Sequence, residues 1–282
     1  MANSLSVAAS AVVVAAVLLS MVPTVSGATR DVGAGGDPYT HSALITSLRN
    51  RGYLADRCVD DAFVAIDRKL FIPRDFRSMK QYVYNDGTLP LGGGGLLDAP
   101  STAAKMFDVI AKHFNGKLKG KKALDIGSGT GLFAAYLAHC THEEVIGVEH
   151  SPELVEESNA SLDALSASGS SAGRKVTIHQ GDGRTGFEEA APYDIIYVGA
   201  GVTRIPKEFR EQLAVGGILL VAVDSPSKNG NAGGSRPIHG QVHVQDLELI
   251  TKGEDGQLRS EVVGEVKLQA LGDRKHQSLH PT

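Results

Sequence analysis

The sequence predicts an α/β fold with a mostly parallel, doubly wound sheet and a C-terminal antiparallel hairpin. Between about residues 121 and 223, short apolar runs alternate with helical patterns, which is typical of a parallel sheet with helices on both faces. A glycine-rich turn, 127–131, joins the first of these runs to a helix. Two β-type segments, 242–251 and 262–270, flank a turn sequence at 254–256. This last pattern predicts a hairpin added to the edge of the sheet.

The composition favours a folded domain over a disordered or nucleic-acid-binding chain. The 282 residues include 28 Lys and Arg against 32 Asp and Glu, giving a formal net charge of −4. A nucleic-acid-binding domain has a basic excess, so we expect no nucleic-acid partner. Hydrophobic residues make up 42% of the chain and charged residues 21%, which is enough apolar surface for a core. We expect a monomer.

The only two cysteines are Cys58 and Cys140. They are too few for a disulfide-dense scaffold or a four-cysteine zinc site, so we expect no metal. The distance between their Cα atoms cannot be read from the sequence. Buried free thiols are therefore the expectation, with a disulfide as the alternative.

The N-terminal segment, residues 1–27, contains no charged side chain. Its apolar run over 7–22 is followed by the small residues of 25–28, which is typical of a cleaved secretory signal peptide. An uncleaved membrane anchor and an organellar or cytoplasmic location remain alternatives. Residues 28–40 predict a flexible lead-in, and 41–282 the domain itself.

The first part of the domain, 41–115, predicts a helical region on the substrate side. Apolar residues recur at helical spacing from 41 to 66. A glycine-rich loop follows at 85–98, and Pro100 suits the first turn of a helix that runs to about Phe114.

Strands and helices then alternate, and right-handed crossovers place ligand contacts at the carboxyl ends of the strands. The predicted strands are 121–126, 144–149, 176–179, 193–198 and 218–223, the helices are 132–139, 152–165 and 206–213, and a polar loop follows at 225–240.

The glycine turn follows the first strand, with Gly127, Gly129 and Gly131 after Asp125. Glycines permit a tight turn and a close approach of the backbone to a ligand. A dinucleotide fingerprint has its third glycine where this chain has Leu132, so a nicotinamide oxidoreductase is disfavoured. A phosphate-binding P-loop is disfavoured as well, because the Lys-Ser/Thr pair is absent.

Acidic residues follow three successive strands: Asp125, Glu149 and Asp182. Carboxylates at these places can accept hydrogen bonds from an ammonium, from ribose hydroxyls and from an adenine amine. S-adenosyl-L-methionine carries these groups and has no phosphate. The pattern therefore predicts a Rossmann-like S-adenosylmethionine-dependent methyltransferase fold, with Ser128 and the turn glycines around this cofactor.

The chain also resembles the protein-L-isoaspartate (D-aspartate) O-methyltransferase family from about His41 to Gln277. This resemblance implies methyl transfer from S-adenosyl-L-methionine to the free carboxyl of isoaspartyl or D-aspartyl residues, which initiates repair of damaged proteins and peptides. It also implies cofactor contacts by His150, Gly183 and Gln277, next to Glu149 and Asp182. The segments that carry the resemblance are 123–131, 145–150, 181–184, 191–200 and 212–217.

The chain departs from that family at Asp98, which stands where the family has a catalytic Ser, two residues before Pro100. A carboxylate nucleophile about 4 Å from a charged Asp98 would be repelled by roughly 4 kcal/mol at an effective dielectric constant of 20. Asp98 could instead cap the helix that begins at Pro100, change the acceptor specificity, or abolish activity. The rival functions are therefore a catalytically silent S-adenosylmethionine-binding module and a methyltransferase with another acceptor.

Overall fold

The structure is a computed structural model, and it describes residues 37–91, 95–225 and 244–271, without the side chain of Asp75. The predicted leader at 1–27, positions 28–36 of the predicted lead-in, nearly all of the loop 225–240 and the predicted site residue Gln277 lie outside the described residues. Among the described residues, no helix combines the length and the apolar character that crossing a membrane requires.

The strands are numbered in chain order. They are β1 (Leu89–Pro90), β2 (Leu96–Leu97), β3 (Ala123–Ile126), β4 (Val145–Glu149), β5 (Val176–Gln180), β6 (Tyr193–Val202), β7 (Leu213–Asp224), β8 (Gln245–Lys252) and β9 (Leu258–Val266).

Seven of these strands form one sheet in the order β5-β4-β3-β6-β7-β8-β9. The pairs from β5 to β7 are parallel, and β8 and β9 are added antiparallel at one edge. The chain steps outward from β3 to β5 and then returns to the other side of β3 with β6. Ligands bind in the crevice at such a reversal of strand order, so the topology confirms the predicted fold and places the candidate site at the carboxyl ends of β3 and β6.

The α-helices also follow chain order. They are α1 (His41–Asn50), α2 (Arg57–Ala65), α3 (Lys80–Val83), α4 (Pro100–His113), α5 (Leu132–Thr141), α6 (Pro152–Ala167) and α7 (Lys207–Glu211).

Alternating residues of the strands feed two separate apolar clusters, as the period of two in a β-strand requires. Ala123 of β3 belongs to the cluster that α1, α2, α4 and α5 cover. Leu124, the next residue, belongs to the opposite cluster, which Phe209 of α7 and Phe187 cover. Because residues of α1, α2 and α4 pack in the same cluster as residues of α5, the substrate-side helices lie on the sheet face that also carries the helix after the glycine turn.

Several element bounds differ from the predicted ones. Part of the predicted loop 85–98 forms a two-residue ribbon in which β1 pairs with β2. The predicted helix 206–213 is shorter, because Leu213 already pairs with Tyr193 as the first residue of β7. β9 begins four residues earlier than predicted, because it lies at the sheet edge and its first residues are exposed. An exposed edge strand lacks the apolar alternation that would reveal it in the sequence.

The expectation of two free thiols is wrong, because Cys58 and Cys140 form a disulfide. Their Cα atoms are 5.8 Å apart, within the range that a disulfide requires. Cys58 is in the first turn of α2 and Cys140 is near the end of α5. The bond therefore links a helix of the substrate-side region to the helix that follows the glycine turn.

Candidate functional site

The glycine turn between β3 and α5 is built on left-handed backbone. Gly127, Gly129 and Gly131 have φ values of +72°, +54° and +80°, which side-chain-bearing residues rarely adopt. The amides of Gly127 and Ser128 both donate to the Val148 carbonyl, at 2.8 and 3.1 Å. The turn is thereby held against the end of β4.

Glu149, the last residue of β4, supports this turn. Its carboxylate accepts hydrogen bonds from the backbone amides of Gly129 (3.0 Å), His150 (2.8 Å) and Ser151 (2.9 Å), and the His150 Nδ1 atom lies 2.8 Å from Oε1. Burial alone would raise the pKa of Glu149, but these hydrogen bonds outweigh it and lower the pKa. Glu149 is therefore a fixed anion at the end of β4.

Asp125 is the buried acid of the site. Both of its carboxyl oxygens lack a hydrogen-bond partner among the described residues. Burial raises the pKa of Asp125 to about 8. The Ala134 amide opposes this rise, although it makes no hydrogen bond to the carboxyl, and the negative charges of Glu149 and Asp98 add to it. A buried carboxyl without a partner is costly for the fold. It is therefore a candidate binding group for a cationic ligand.

One cavity lies beside the glycine turn. Gly127, Gly129 and Asp125 line it together with Asp98 and Arg68. Its remaining wall is mainly apolar and aromatic, and it is formed by Leu44, Ile45, Phe63, Leu91, Leu96, Leu97, Pro100, Ala103, Leu132, Phe133, Tyr136 and Tyr197.

Stacked aromatic rings stiffen this wall. The ring centroids of Phe133 and Tyr197 are 3.7 Å apart, and those of Phe63 and Tyr136 are 4.3 Å apart. Burial raises the pKa of both tyrosines above their usual range, so both rings stay neutral at physiological pH. The aromatic wall is therefore rigid and uncharged, and charges beside it interact more strongly than in water.

Of the alternatives for Asp98, capping of α4 is wrong. The residue at the N-cap is Ala99, which makes no side-chain hydrogen bond. The carboxylate that binds the first turn is Asp86, which accepts from the Ser101 amide at 2.8 Å. Asp86 comes within reach of the helix through the loop that precedes it, so its role could not be read from sequence spacing.

The Asp98 carboxyl lines the cavity instead, and none of the described residues hydrogen-bonds to it. Burial raises the pKa of Asp98 to about 7, and the positive charge of Arg68 opposes the rise. The pKa of Asp98 therefore lies close to neutral pH, where the neutral and the ionised forms are both accessible.

Two other predicted site residues, Asp182 and Gly183, do not line this cavity. Asp182 is half-exposed and pairs with Arg184, with a shortest distance of 2.6 Å, and it does not line the described cavity. Gly183 packs against Ile126 at the end of β3 and lies near Gly127. The segment that follows β5 therefore lies beside the glycine turn, although the Asp182 carboxylate pairs with Arg184.

Sequence reasoning missed three kinds of residue. Arg68 gives no local signal beyond a charge beside the apolar run at 70–72. The aromatic wall is contributed by separate helices and strands. Gly147 was also missed: a Cβ there would collide with Ile178 and approach Ser128 Oγ to 3.0 Å. This glycine in the middle of β4 therefore makes room for the turn, and a glycine inside an apolar strand pattern is the signal that could have found it.

The buried polar atoms without a hydrogen-bond partner indicate which kind of ligand fits this cavity. Ser128 Oγ and Thr130 Oγ1 are buried and, like the Asp125 oxygens, have no partner among the described residues. Hydroxyls and a carboxyl suit a ligand with hydroxyl and ammonium groups, and no basic cluster for a phosphate lines the described part of the cavity. The same residues contain no group of three or more His, Cys, Asp or Glu side chains that could hold a metal ion. The site fits S-adenosyl-L-methionine.

Comparisons with known proteins agree with this geometry. The family model described as protein-L-isoaspartate(D-aspartate) O-methyltransferase matches residues 39–276. Over 239 residues the chain is 32% identical to protein-L-isoaspartate O-methyltransferase 1 of Arabidopsis thaliana, covering 84% of this chain and 93% of that protein. It is 35% identical over 213 residues to the protein-L-isoaspartate O-methyltransferase of Caenorhabditis elegans, covering 75% and 90%.

Solved structures share the fold. The structure described for a Plasmodium falciparum protein-L-isoaspartate O-methyltransferase, in complex with S-adenosyl-L-homocysteine, superposes with a TM-score of 0.66 at 22% identity and covers 82% of this chain and 98% of that one. A second solved protein-L-isoaspartate O-methyltransferase structure has the same TM-score at 25% identity, covering 83% of this chain and 67% of that one.

Proposed function

The chain belongs to the protein-L-isoaspartate(D-aspartate) O-methyltransferase family, and on that premise we propose that methyl transfer takes place in the cavity lined by the glycine turn and Asp98. The protein methylates the free carboxyl of isoaspartyl residues in damaged proteins, with S-adenosyl-L-methionine as the donor. One observation carries the assignment of the site: a single cavity contains both the cofactor turn and the residue at the family's Ser position.

The residues that hold the cofactor are assigned by charge and by unused hydrogen-bonding capacity. Asp125 binds the ammonium group, because its carboxyl is buried and has no partner among the described residues. Glu149 binds the ribose, since it is a fixed anion at the end of β4 and its oxygens retain lone pairs. Gly127, Ser128, Gly129 and Gly131 form the turn against which the ligand packs, and His150, Asp182 and Gly183 lie around it.

The bound cofactor supplies a methyl group on a sulfonium centre, and the acceptor is a carboxylate. A carboxylate is already ionised at neutral pH, because a free aspartyl side chain titrates near 3.9, so the chain need not provide a general base. Its contribution is to orient the acceptor and to exclude water. The stacked rings of Phe133 and Tyr197 serve the second purpose.

Asp98 permits this reaction in its neutral form. The repulsion expected from a charged Asp98 applies only to the ionised fraction, and burial raises the pKa of this carboxyl to about 7. A neutral carboxyl can donate a hydrogen bond, as the hydroxyl of a Ser would. The Asp98 position therefore does not require loss of activity.

The decisive experiment measures transfer of labelled methyl from S-adenosyl-L-methionine to an isoaspartyl peptide by the purified chain. The control peptide has the same sequence with an ordinary aspartyl residue and should stay unlabelled. Asp125→Ala should abolish transfer by weakening cofactor binding. Cofactor binding without transfer to the isoaspartyl peptide would contradict the proposal and would favour a catalytically silent module.

We further propose that the protein enters the secretory pathway. Two independent features support this: the uncharged apolar segment at 1–27 with its small-residue cleavage pattern, and the Cys58–Cys140 disulfide, which is typical of oxidising compartments. Expression of the full chain in a eukaryotic host, followed by N-terminal sequencing of the protein in the medium, tests the proposal. Mature protein should begin near Ala28. Retention in the membrane fraction with an intact leader would indicate an anchor, and intact cytosolic protein would contradict secretory entry.

We also propose that the protein acts as a monomer without a nucleic-acid partner. The net charge of −4 supports the absence of a nucleic-acid partner, because nucleic-acid binding needs a basic surface. Light scattering should give a mass near 27 kDa after leader removal, scaled from 29.6 kDa for the 282 residues of the full chain to the roughly 255 that are left. A dimer mass, or retention on a polyanion column, would overturn this assignment.

A further inference from the structure

Arg68 is a buried cation that the assignments above leave without a role. It belongs to a 3₁₀ turn, Arg68–Phe71, that follows α2, and only 2% of the residue is exposed to solvent. It lines the same cavity as Asp125 and the glycine turn. Placing a guanidinium in such an environment is costly unless an anion compensates it.

The guanidinium has hydrogen-bonding capacity to spare. Its Nη1 atom donates to the Asn85 carbonyl at 3.3 Å, whereas Nε and Nη2 have no partner among the described residues. Burial lowers the pKa of Arg68, and interactions with Tyr136, Asp86, Asp67 and Asp98 oppose this. An arginine stays protonated in proteins, so the cavity contains a positive charge with unused donors.

The carboxylates whose charges act on Arg68 are engaged elsewhere, with one exception. Asp86 binds Arg51 at 2.7 Å and the Ser101 amide. Asp67 accepts from the Tyr84 hydroxyl at 2.9 Å and from the Lys69 amide at 2.9 Å. Asp98 is the remaining one, and none of the described residues donates a hydrogen bond to it.

We propose that Arg68 binds the carboxylate of the methyl acceptor through its unused donors, and that ionised Asp98 competes with that carboxylate for the guanidinium. This inference rests on the function proposed above. Guanidinium groups bind carboxylates with two parallel hydrogen bonds, and the aromatic wall strengthens the attraction by excluding water. Arg68 thereby fixes the orientation of the acceptor and offsets the negative charge of the surrounding acids.

The competition makes acceptor binding depend on pH. As the pH rises through about 7, Asp98 loses its proton, and the Arg68 charge becomes neutralised from within the protein. Affinity for the acceptor carboxylate therefore falls. The other titratable or charged groups that line the cavity or interact with this pair are His41 on α1, Asp67 beside Arg68, Asp86, Asp125 on β3, Tyr136 on α5 and Tyr197 on β6.

The test compares two peptides by calorimetry, with S-adenosyl-L-homocysteine present so that no transfer occurs. One peptide carries an isoaspartyl carboxylate, and the other carries the uncharged isoasparaginyl amide at the same position. The wild-type chain should prefer the carboxylate peptide at pH 6. Arg68→Met should bind that peptide roughly thirtyfold or more weakly, as expected when one partner of a buried charge pair is removed, and should lose the preference.

Two further variants separate binding from structure. Arg77→Met is the matched control, because Arg77 lies in the same segment and donates to the backbone carbonyls of Ile72 and Leu70 at 2.6 and 2.7 Å. This variant should keep the preference for the carboxylate peptide. Arg68→Lys should restore part of it. Arg68→Met should unfold no more easily than the wild type, because it removes an uncompensated buried charge. S-adenosyl-L-homocysteine binding checks that its fold is intact.

A third variant, Asp98→Asn, tests the competition. The preference of the wild type for the carboxylate peptide should decline between pH 6 and 8, and in Asp98→Asn it should persist to pH 8. An unchanged preference in Arg68→Met would overturn the assignment of Arg68. An identical pH profile in Asp98→Asn would overturn the competition.

A final measurement distinguishes this inference from the proposed function. Acetate should raise the melting temperature of the wild-type complex with S-adenosyl-L-homocysteine, and it should leave Arg68→Met unchanged. If acetate does so while neither peptide binds, the anion site stands and the isoaspartyl acceptor is wrong. If acetate has no Arg68-dependent effect and the peptides are not distinguished, the assignment of Arg68 is overturned.

Discussion

Two carboxyls, Asp98 and Asp125, determine how the cavity responds to pH. Burial raises the pKa of Asp98 to about 7 and that of Asp125 to about 8. Glu149, a third acid of the site, has its pKa lowered because backbone amides and His150 hydrogen-bond to it. Residue type alone would treat the three as equivalent. Their different numbers of hydrogen-bond donors give them different roles.

Binding of S-adenosyl-L-homocysteine near pH 7 should release a proton from Asp125. The free carboxyl is mostly protonated at that pH, because its pKa is about 8, and the ligand ammonium favours the ionised form. Calorimetry in buffers of different ionisation enthalpy should show about 0.5–1 proton released per ligand, the fraction that a group of this pKa holds at pH 7. Asp125→Asn should bind more weakly and release none. Equal proton release by this variant would exclude Asp125 as the source.

Asp98→Ser should raise activity on an isoaspartyl peptide at pH 8.5 and change it little at pH 6. Ionised Asp98 repels the acceptor carboxylate above its pKa of about 7, and relief of about 1.4 kcal/mol of that repulsion gives roughly a tenfold gain. Initial rates measured across this pH range test the expectation. If the variant is slower at both pH values, Asp98 assists the reaction in either protonation state.

At the scale of elements, the position of each helix and strand determines which side chains reach the cavity. Residues from α1, α2, β3, α5 and β6 line it. The reversal of strand order between β3 and β6 opens the space, and the aromatic rings of α2 and α5 pack across it. Local apolar periodicity was enough to predict these elements, because it depends only on neighbouring residues. It could not predict their mutual packing.

The disulfide between α2 and α5 should be a main contributor to the stability of this arrangement. It joins residues 82 positions apart, and closure of a loop of that length in the unfolded chain corresponds to about 4 kcal/mol in the chain-entropy model. Reduction, or the double variant Cys58→Ser with Cys140→Ser, should lower the melting temperature accordingly. A reducing agent should then leave the double variant unaffected. A wild type that is insensitive to reduction would contradict this account.

In the whole molecule, burial of Asp98 and Asp125 next to a site for a cationic ligand lowers the free energy of unfolding of the ligand-free protein. The two apolar clusters on the sheet faces contribute the hydrophobic stabilisation that outweighs this loss. Binding of the cofactor then offsets it, since a ligand that binds only the folded state stabilises that state.

The stability of the ligand-free protein should pass through a maximum near pH 4. Asp98 and Asp125 have raised pKa values of about 7 and 8, so the folded state holds protons that the unfolded chain has lost above pH 4. The free energy of unfolding therefore falls as the pH rises from about 4 to 8. The lowered pKa of Glu149 acts in the opposite sense, and its contribution is lost as the pH falls below about 4.5.

Thermal unfolding across this pH range measures the effect. Asp125→Asn should be more stable than the wild type at pH 8 by more than about 1 kcal/mol, because the amide does not titrate whereas each unit of raised carboxyl pKa costs about 1.4 kcal/mol of stability there, and it should be similar to the wild type at pH 4. A variant that is less stable at pH 8 would show that Asp125 supports the fold through a contact of its own.

Local sequence patterns were enough to predict the α/β fold, the glycine turn, the acids at the strand ends and the edge hairpin. Each of these is encoded by neighbouring residues, through apolar periodicity or short spacing. The packing in three dimensions was needed to show that Asp86 rather than Asp98 binds the start of α4. The same holds for the pairing of Cys58 with Cys140 and for the cavity that Arg68 shares with Asp98. These pairs are distant along the chain, so their contact depends on how the helices pack on the sheet, and local sequence patterns carry no record of that packing.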